Sequence, residues 1–234
     1  MRLFSYVLRF DDGAAPNPFW GYCTLTICKP RIRKIAKVGD WVVGWGSKNV
    51  WQNGERHNFQ NHFVYVMKVA NVLTLKEYDK WCAENAPKKI PKMKSKDFKR
   101  RAGDCIYEYA PGKIKPAMRD SVHSSYPPDR DLRGLNALVS DHFYYFGENP
   151  ISVPKKFLEL VKSNQGHKII HDGTIVQDFI SWLEANFLKN KLYGNPQIPV
   201  PADEKSRKTC AKKCFDYDDC DDVTEIKYKK QRCM

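Results

Sequence analysis

The run Trp41-Val42-Val43-Gly44-Trp45-Gly46 constrains this chain most, because it holds no charged side chain and is too short for an ordinary helix. It reads as an apolar strand, entered through a tight Val38-Gly39-Asp40 turn. Leu3 to Phe10 is a first strand, with Phe4, Tyr6 and Leu8 alternating against Ser5, Val7 and Arg9. Tyr22 to Cys28, His62 to Val69, Cys105 to Tyr109, Ala137 to Ser140 and His142 to Phe146 read as further extended segments. No apolar stretch approaches the roughly 18–20 residues that a membrane-spanning helix requires. The N-terminus lacks the apolar core of a signal peptide, so a cytoplasmic protein with no membrane partner is expected.

Helices fall between these segments. Pro30 suits the first turn of a short helix running to about Ala36. Thr74-Leu75-Lys76-Glu77 is a capping box that opens a helix past Trp81, and Pro154 opens another. Thr174-Ile175-Val176-Gln177 offers a second box. Ile175, Val176, Phe179, Ile180, Leu183 and Phe187 then form an apolar stripe at helical spacing. Strands and helices mix without a βαβ rhythm, so the expected class is α+β. A helix leading into a Gly-Asp turn and an apolar strand resembles PUA-like and EVE-like folds. That resemblance implies a small curved sheet or barrel, with flanking helices, around a pocket for one nucleobase. Residues 1–188 are expected to form this domain, 189–209 a proline-bearing polar linker, and 210–234 a cysteine-rich charged tail.

Charge narrows the partners. The 234 residues carry 40 Lys and Arg against 27 Asp and Glu, a formal surplus of +13, which favours a polyanion. The tail holds six acids and six bases, so the surplus belongs to the body. Between Lys88 and Arg101, eight basic residues face the single acid Asp97, and Lys29, Arg31, Arg33, Lys34 and Lys37 form a second cluster. Lys29, Arg31, Arg33, Lys48, Lys99, Arg100 and Arg101 are the candidate phosphate contacts. Of eight cysteines, Cys23, Cys28, Cys82 and Cys105 sit among apolar neighbours and read as small core residues. Cys210, Cys214, Cys220 and Cys233, spaced C-x3-C-x5-C-x12-C, are candidate ligands for a structural zinc in the tail.

The candidate base pocket begins at Ala15-Pro16-Asn17-Pro18, where two prolines restrict the loop and Asn17 carries an amide suited to a base edge. Trp20 and Trp45 offer faces for stacking, and Ser47 and Tyr145 offer hydroxyls. Gly44 and Gly46 beside Trp45 would let a ligand approach the backbone. His123 and His167 are candidate acid–base groups, with Asp104 or Asp40 in support. No P-loop, G-x-G-x-x-G, H-E-x-x-H, G-x-S-x-G or zinc-deaminase motif is present, which argues against nucleoside-triphosphate hydrolases, dinucleotide oxidoreductases and zinc deaminases.

Several runs taken together resemble a known family. They are Ala15-Pro16-Asn17-Pro18-Phe19, Gly21-Tyr22-Cys23-Thr24-Leu25, Cys28-Lys29-Pro30, Val38-Gly39-Asp40-Trp41, Val122-His123-Ser124 and Phe143-Tyr144-Tyr145-Phe146-Gly147. In this order and spacing they are similar to the second of the nucleotide-modification-associated domain families, over roughly residues 3–188. The resemblance implies a bacterial or phage protein tied to modification of DNA bases. Three roles follow as expectations: a module that binds nucleic acid or a nucleotide through one base, an enzyme of base modification using a His/Asp pair in the same pocket, or a scaffold for a protein partner.

Overall fold

The computed structural model describes residues 1–52, 54–123, 129–171, 173–202 and 223–226. In chain order the strands are β1 (Arg2–Leu8), β2 (Cys23–Leu25), β3 (Trp41–Gly46), β4 (Val50–Gln52), β5 (Glu55–His57), β6 (His62–Lys68), β7 (Asn71–Thr74) and β8 (Tyr107–Glu108). They continue with β9 (Ala117–Met118), β10 (Asn136–Ser140), β11 (His142–Tyr145), β12 (Ile151–Ser152), β13 (His167–His171), β14 (Lys191–Leu192) and β15 (Val223–Ile226). The α-helices are α1 (Pro30–Ile35), α2 (Leu75–Asn85), α3 (Phe98–Arg101), α4 (Asp129–Leu132) and α5 (Thr174–Asn186).

The main sheet runs β14-β11-β6-β3-β1-β13-β15, with β12 added to β6. Its centre is β3, parallel to β1 and antiparallel to β6. All six β3 residues are buried, which is why that strand reads as an unbroken apolar run. Alternate side chains feed two cores. Phe4, Tyr6, Leu8, Val42, Tyr65, Met67, Phe143 and Tyr145 face Cys23, Leu25, Ile32 and Leu138, from β2, α1 and β10. Leu3, Trp41, Val43, Trp45, Phe63 and Val66 face Phe157, Val176, Phe179 and Leu183, so α5 covers the opposite side. A second sheet, β2-β10-β7, carries α2 and its Tyr78 and Cys82 on a third cluster with Phe19 and Val139.

The architecture is mixed α and β, as expected, but the main sheet is open: β14 and β15 end it without pairing to each other. Of the expected small curved sheet or barrel, the barrel is therefore corrected. Crossing from β1 to the parallel β3 takes the chain out through β2 and α1 rather than around a barrel.

Local expectations meet their physical limits in a few places. The Thr74–Glu77 box is formed, with the Thr74 hydroxyl accepting from the Glu77 amide and the Glu77 carboxylate accepting from the Thr74 amide. At α5 the cap is Gly173 instead, and no side chain caps it. The segment after Pro154 is a 3-10 helix, Lys155–Leu160. His167 and Lys168, which fall between the helices expected at Pro154 and Thr174, belong to β13 in the main sheet, with His167 opposite Tyr6 of β1. Residues 189–202, read as the start of a linker, lie on the body: β14 pairs with β11, Tyr193 stacks on Phe146, and Val200 accepts from Arg101. Among the described residues no helix is long and apolar enough to cross a membrane.

Candidate functional site

A cavity of about 200 Å3 opens at one end of the main sheet. Its walls come from the carboxyl ends of the parallel pair, Val7 to Phe10 after β1 and Gly46 to Lys48 after β3. The antiparallel neighbours enter from the same end, bringing Gln60 and Asn61 ahead of β6 and Asn164 to Gly166 ahead of β13. Ligands of open α/β sheets sit at the carboxyl ends of parallel strands for the same reason: chains leaving the sheet diverge there and leave a crevice. Arg9, Lys29, Lys48 and Lys162 give the walls a cationic character, with Asp12 among them.

One side of the cavity is made by the turn between β2 and α1. Cys28 and Lys29 both hold left-handed backbone, with φ of 57° and 42°, rare for residues with side chains. Asp131 of α4 secures the turn: its Oδ1 accepts the Cys28 amide at 2.7 Å. Arg33, fully buried, donates to the carbonyls of Cys28, Asn136 and Asp131 at 2.7, 2.8 and 2.6 Å. Gly134 leaves room for that guanidinium, since a Cβ there would stand 2.4 Å from Arg33 Cζ. The second Asp131 oxygen lies 3.3 Å from His123 Nδ1, and His123 Nε2 lies 3.8 Å from Cys28 Sγ. Cys28 and His123 both line the cavity. Burial alone would raise the Asp131 carboxyl, but His123, Arg33 and the Cys28 amide hold it below the ordinary carboxylate range. Asp12 goes the other way: desolvation pushes its carboxyl up, against the pull of the Ala14 amide and His123.

Of the residues singled out from the sequence, His123, Ser47, Lys29 and Lys48 meet at this cavity. The others among the described residues do not, for identifiable reasons. Trp45 is sealed in the core against Phe63 and Phe179, its indole donating to Ser5 Oγ at 2.7 Å. Its flanking glycines make room for protein: a Cβ at Gly44 would strike the Tyr65 ring, and one at Gly46 the Phe59 backbone. Asn17 turns inward, donating to the carbonyls of Gly13 and Ala102 and accepting from Lys89 Nζ at 2.7 Å. Asp104 is buried with it, accepting from Thr24, Thr26 and Tyr78. Tyr145 is buried and donates to Asp11 at 2.7 Å. Asp40 closes the turn before β3 through Arg2 and the Lys37 amide. His167 is buried beside Phe4.

The basic clusters divide likewise. Arg33 is the buried clamp described above, and Arg31 is exposed and outside the cavity walls. Arg101 donates to the carbonyls of Ser95, Lys96 and Val200, so it shapes its loop. Lys88 lies 5.0 Å over the half-buried Trp20 ring, and Lys99 lies 5.7 Å over Phe19. With Arg100 they form a basic and aromatic patch separate from the cavity walls.

Cys28, Asp131 and Asp12 were not legible as site residues. Cys28 sits among apolar residues in the sequence, and Asp131 lies 103 positions away. The signal that could have found Cys28 is its place between a strand and a proline-initiated helix, where a nucleophile can be held on a tight turn. Among the described residues, no group of three or more His, Cys, Asp or Glu could hold a metal ion. Cys210, Cys214, Cys220 and Cys233 lie outside the described residues.

No curated protein and no solved structure matches the chain. Residues 1–203 do match a protein family, and the match takes in the second sheet, every strand of the main sheet except β15, the cavity and the segment that follows α5. The chain therefore belongs to the family described as nucleotide modification associated domain 2.

Proposed function

We propose that this domain binds a nucleotide, free or as one unit of a nucleic acid, in the cavity at the end of the main sheet, in the service of base modification. The observation that carries the reading is the meeting of Arg9, Lys29, Lys48 and Lys162 with Ser47, Gln60, Asn61, Asn164 and Gln165 around one opening. Cations suit a phosphate, while amides and a hydroxyl suit the donor and acceptor edge of a base. The proposed ligand is held mainly by polar edges, with Phe10 as the aromatic wall. This replaces the stacking on Trp20 and Trp45 expected from sequence. At about 200 Å3 the cavity is smaller than the roughly 300–1,000 Å3 of ordinary small-molecule pockets, so it would enclose one part of a nucleotide and leave the rest at its opening.

The test is binding of mononucleotides and of a short single-stranded oligonucleotide, followed by fluorescence or thermal shift at about 50 and 200 mM salt. Affinity is expected to fall with salt, and Lys48→Ala to weaken it by about three- to tenfold, the loss of one partly screened charge contact. Preference for the oligonucleotide would mark a nucleic-acid partner, and equal affinity for the mononucleotide a free one. Absence of binding by either, or affinity indifferent to salt, would remove the reading.

A further inference from the structure

We propose that Cys28 is a nucleophile of this cavity, with His123 as its base and Asp131 as the group that orients the base, and that its target is an electrophilic ring carbon of the bound nucleotide's base. The inference rests on the nucleotide reading above and adds to it a reaction type. Three observations converge. The order of contacts is that of an activated nucleophile, Sγ to Nε2 at 3.8 Å and Nδ1 to carboxylate at 3.3 Å. A thiol is nucleophilic as its thiolate, so a base within reach of its proton determines its reactivity.

The second observation is backbone geometry. Cys28 is held at positive φ in a strand-to-helix turn, and Lys29 after it is too. Such conformations are costly and persist where the surroundings enforce them, often at reacting groups. Here the enforcing groups are Asp131 and Arg33, which grip the Cys28 amide and carbonyl. The third is access. Cys23, Cys82 and Cys105 are buried, whereas Cys28 is partly exposed and faces the cavity together with His123.

The step is an addition. The Cys28 Sγ proton passes to His123 Nε2, and Sγ bonds to the ring carbon. The π pair of the attacked double bond moves onto the neighbouring ring atom. The imidazolium, facing Asp131, keeps the proton until elimination returns it and frees the thiol. No oxidant or second reactant is needed for this adduct.

Iodoacetamide reports the same reactivity: Sγ forms the S–C bond, iodide leaves, and His123 takes the proton. Site-resolved mass spectrometry on the full chain at neutral pH should show Cys28 alkylated at least about tenfold faster than glutathione. His123→Gln should slow it by about tenfold or more, with unchanged thermal stability as the folding control. Asp131 is a positioning residue, so Asp131→Asn should slow alkylation in the wild type and add little to His123→Gln, which a purely structural role would not produce. Bound mononucleotide should protect Cys28. A wild-type rate no greater than glutathione's, or one unaffected by His123→Gln, overturns the nucleophile even where nucleotide binding persists. Rapid alkylation without protection, together with no nucleotide binding, overturns the target and the nucleotide reading together.

Discussion

Two of the buried charged groups among the described residues differ in one respect that decides what each can do. In the first, Lys89 Nζ lies within 3.1 Å of the Asn17 carbonyl, Asn17 Oδ1, the Tyr22 carbonyl and Thr24 Oγ1, while Asp104 accepts from Thr24, Thr26 and Tyr78. Burial pulls the Lys89 ammonium down and pushes the Asp104 carboxyl up, each countered by the other's charge. The polar atoms of this group are saturated by protein and face no opening. In the second, Arg33 and Asp131 are equally well bonded, but His123 and Cys28 carry the chain of contacts to a cavity wall. Perturbed, buried charge is thus shared by a structural lock and a candidate reaction centre. Access to space distinguishes them.

The contrast can be broken in three places. The largest effect is expected from Lys89→Met, which strands the Asp104 carboxylate in the interior and should cost about 3–5 kcal/mol in chemical denaturation. Nucleotide affinity of the surviving folded fraction should not change. A loss of affinity without loss of stability would give the locked group a ligand role and dissolve the distinction. Asp11→Asn is expected to act next in size, with the opposite sign. Burial pushes the Asp11 carboxyl up to about 7, from the ordinary 3.8, despite the Tyr145 hydroxyl. The folded state therefore holds the proton where the unfolded chain has released it, and stability falls as pH rises from about 4 to 7. The substitution should flatten that slope and gain about 2–4 kcal/mol at pH 8 relative to wild type. A pH-stability profile that stays parallel to wild type would show that the carboxyl is not titrating in that window. The smallest effect is expected from Trp20→Ala. Its ring carries Lys88 but lies off the cavity walls, so nucleotide affinity should change less than about twofold. A tenfold loss would move the site to the basic patch.

Legibility in the sequence followed the range of the interactions. β1, β3, β6 and the α2 capping box come from patterns within a few residues, and the structure keeps them nearly to the residue. β13 was missed because His167-Lys168 interrupts its apolar pattern: His167 is buried by β1 and Lys168 carries its ammonium to the Glu159 carbonyl. At the site, His123 was legible by residue type and Lys29, Ser47 and Lys48 by proximity to the apolar strand. Asn17, Trp45 and Tyr145 have the right chemistry in the sequence but the wrong direction in space. Side-chain direction depends on partners far away, such as Lys89 for Asn17 and Asp11 for Tyr145. Asp131 joins Cys28 only because α4 folds back across α1, a relation that no local spacing encodes.

Gly46 ends β3 with the Phe59 main chain lying where a side chain would be: a Cβ there would come within 2.6 Å of the Phe59 carbonyl oxygen. Gln60 and Asn61, immediately downstream, belong to the cavity wall. Gly46 lines the cavity as well, so a single methyl at position 46 would press on the Phe59 backbone and displace the stretch that carries Gln60 and Asn61. The shape of the proposed nucleotide site therefore rests partly on an absent side chain, and alanine at 46 is the substitution that would alter it.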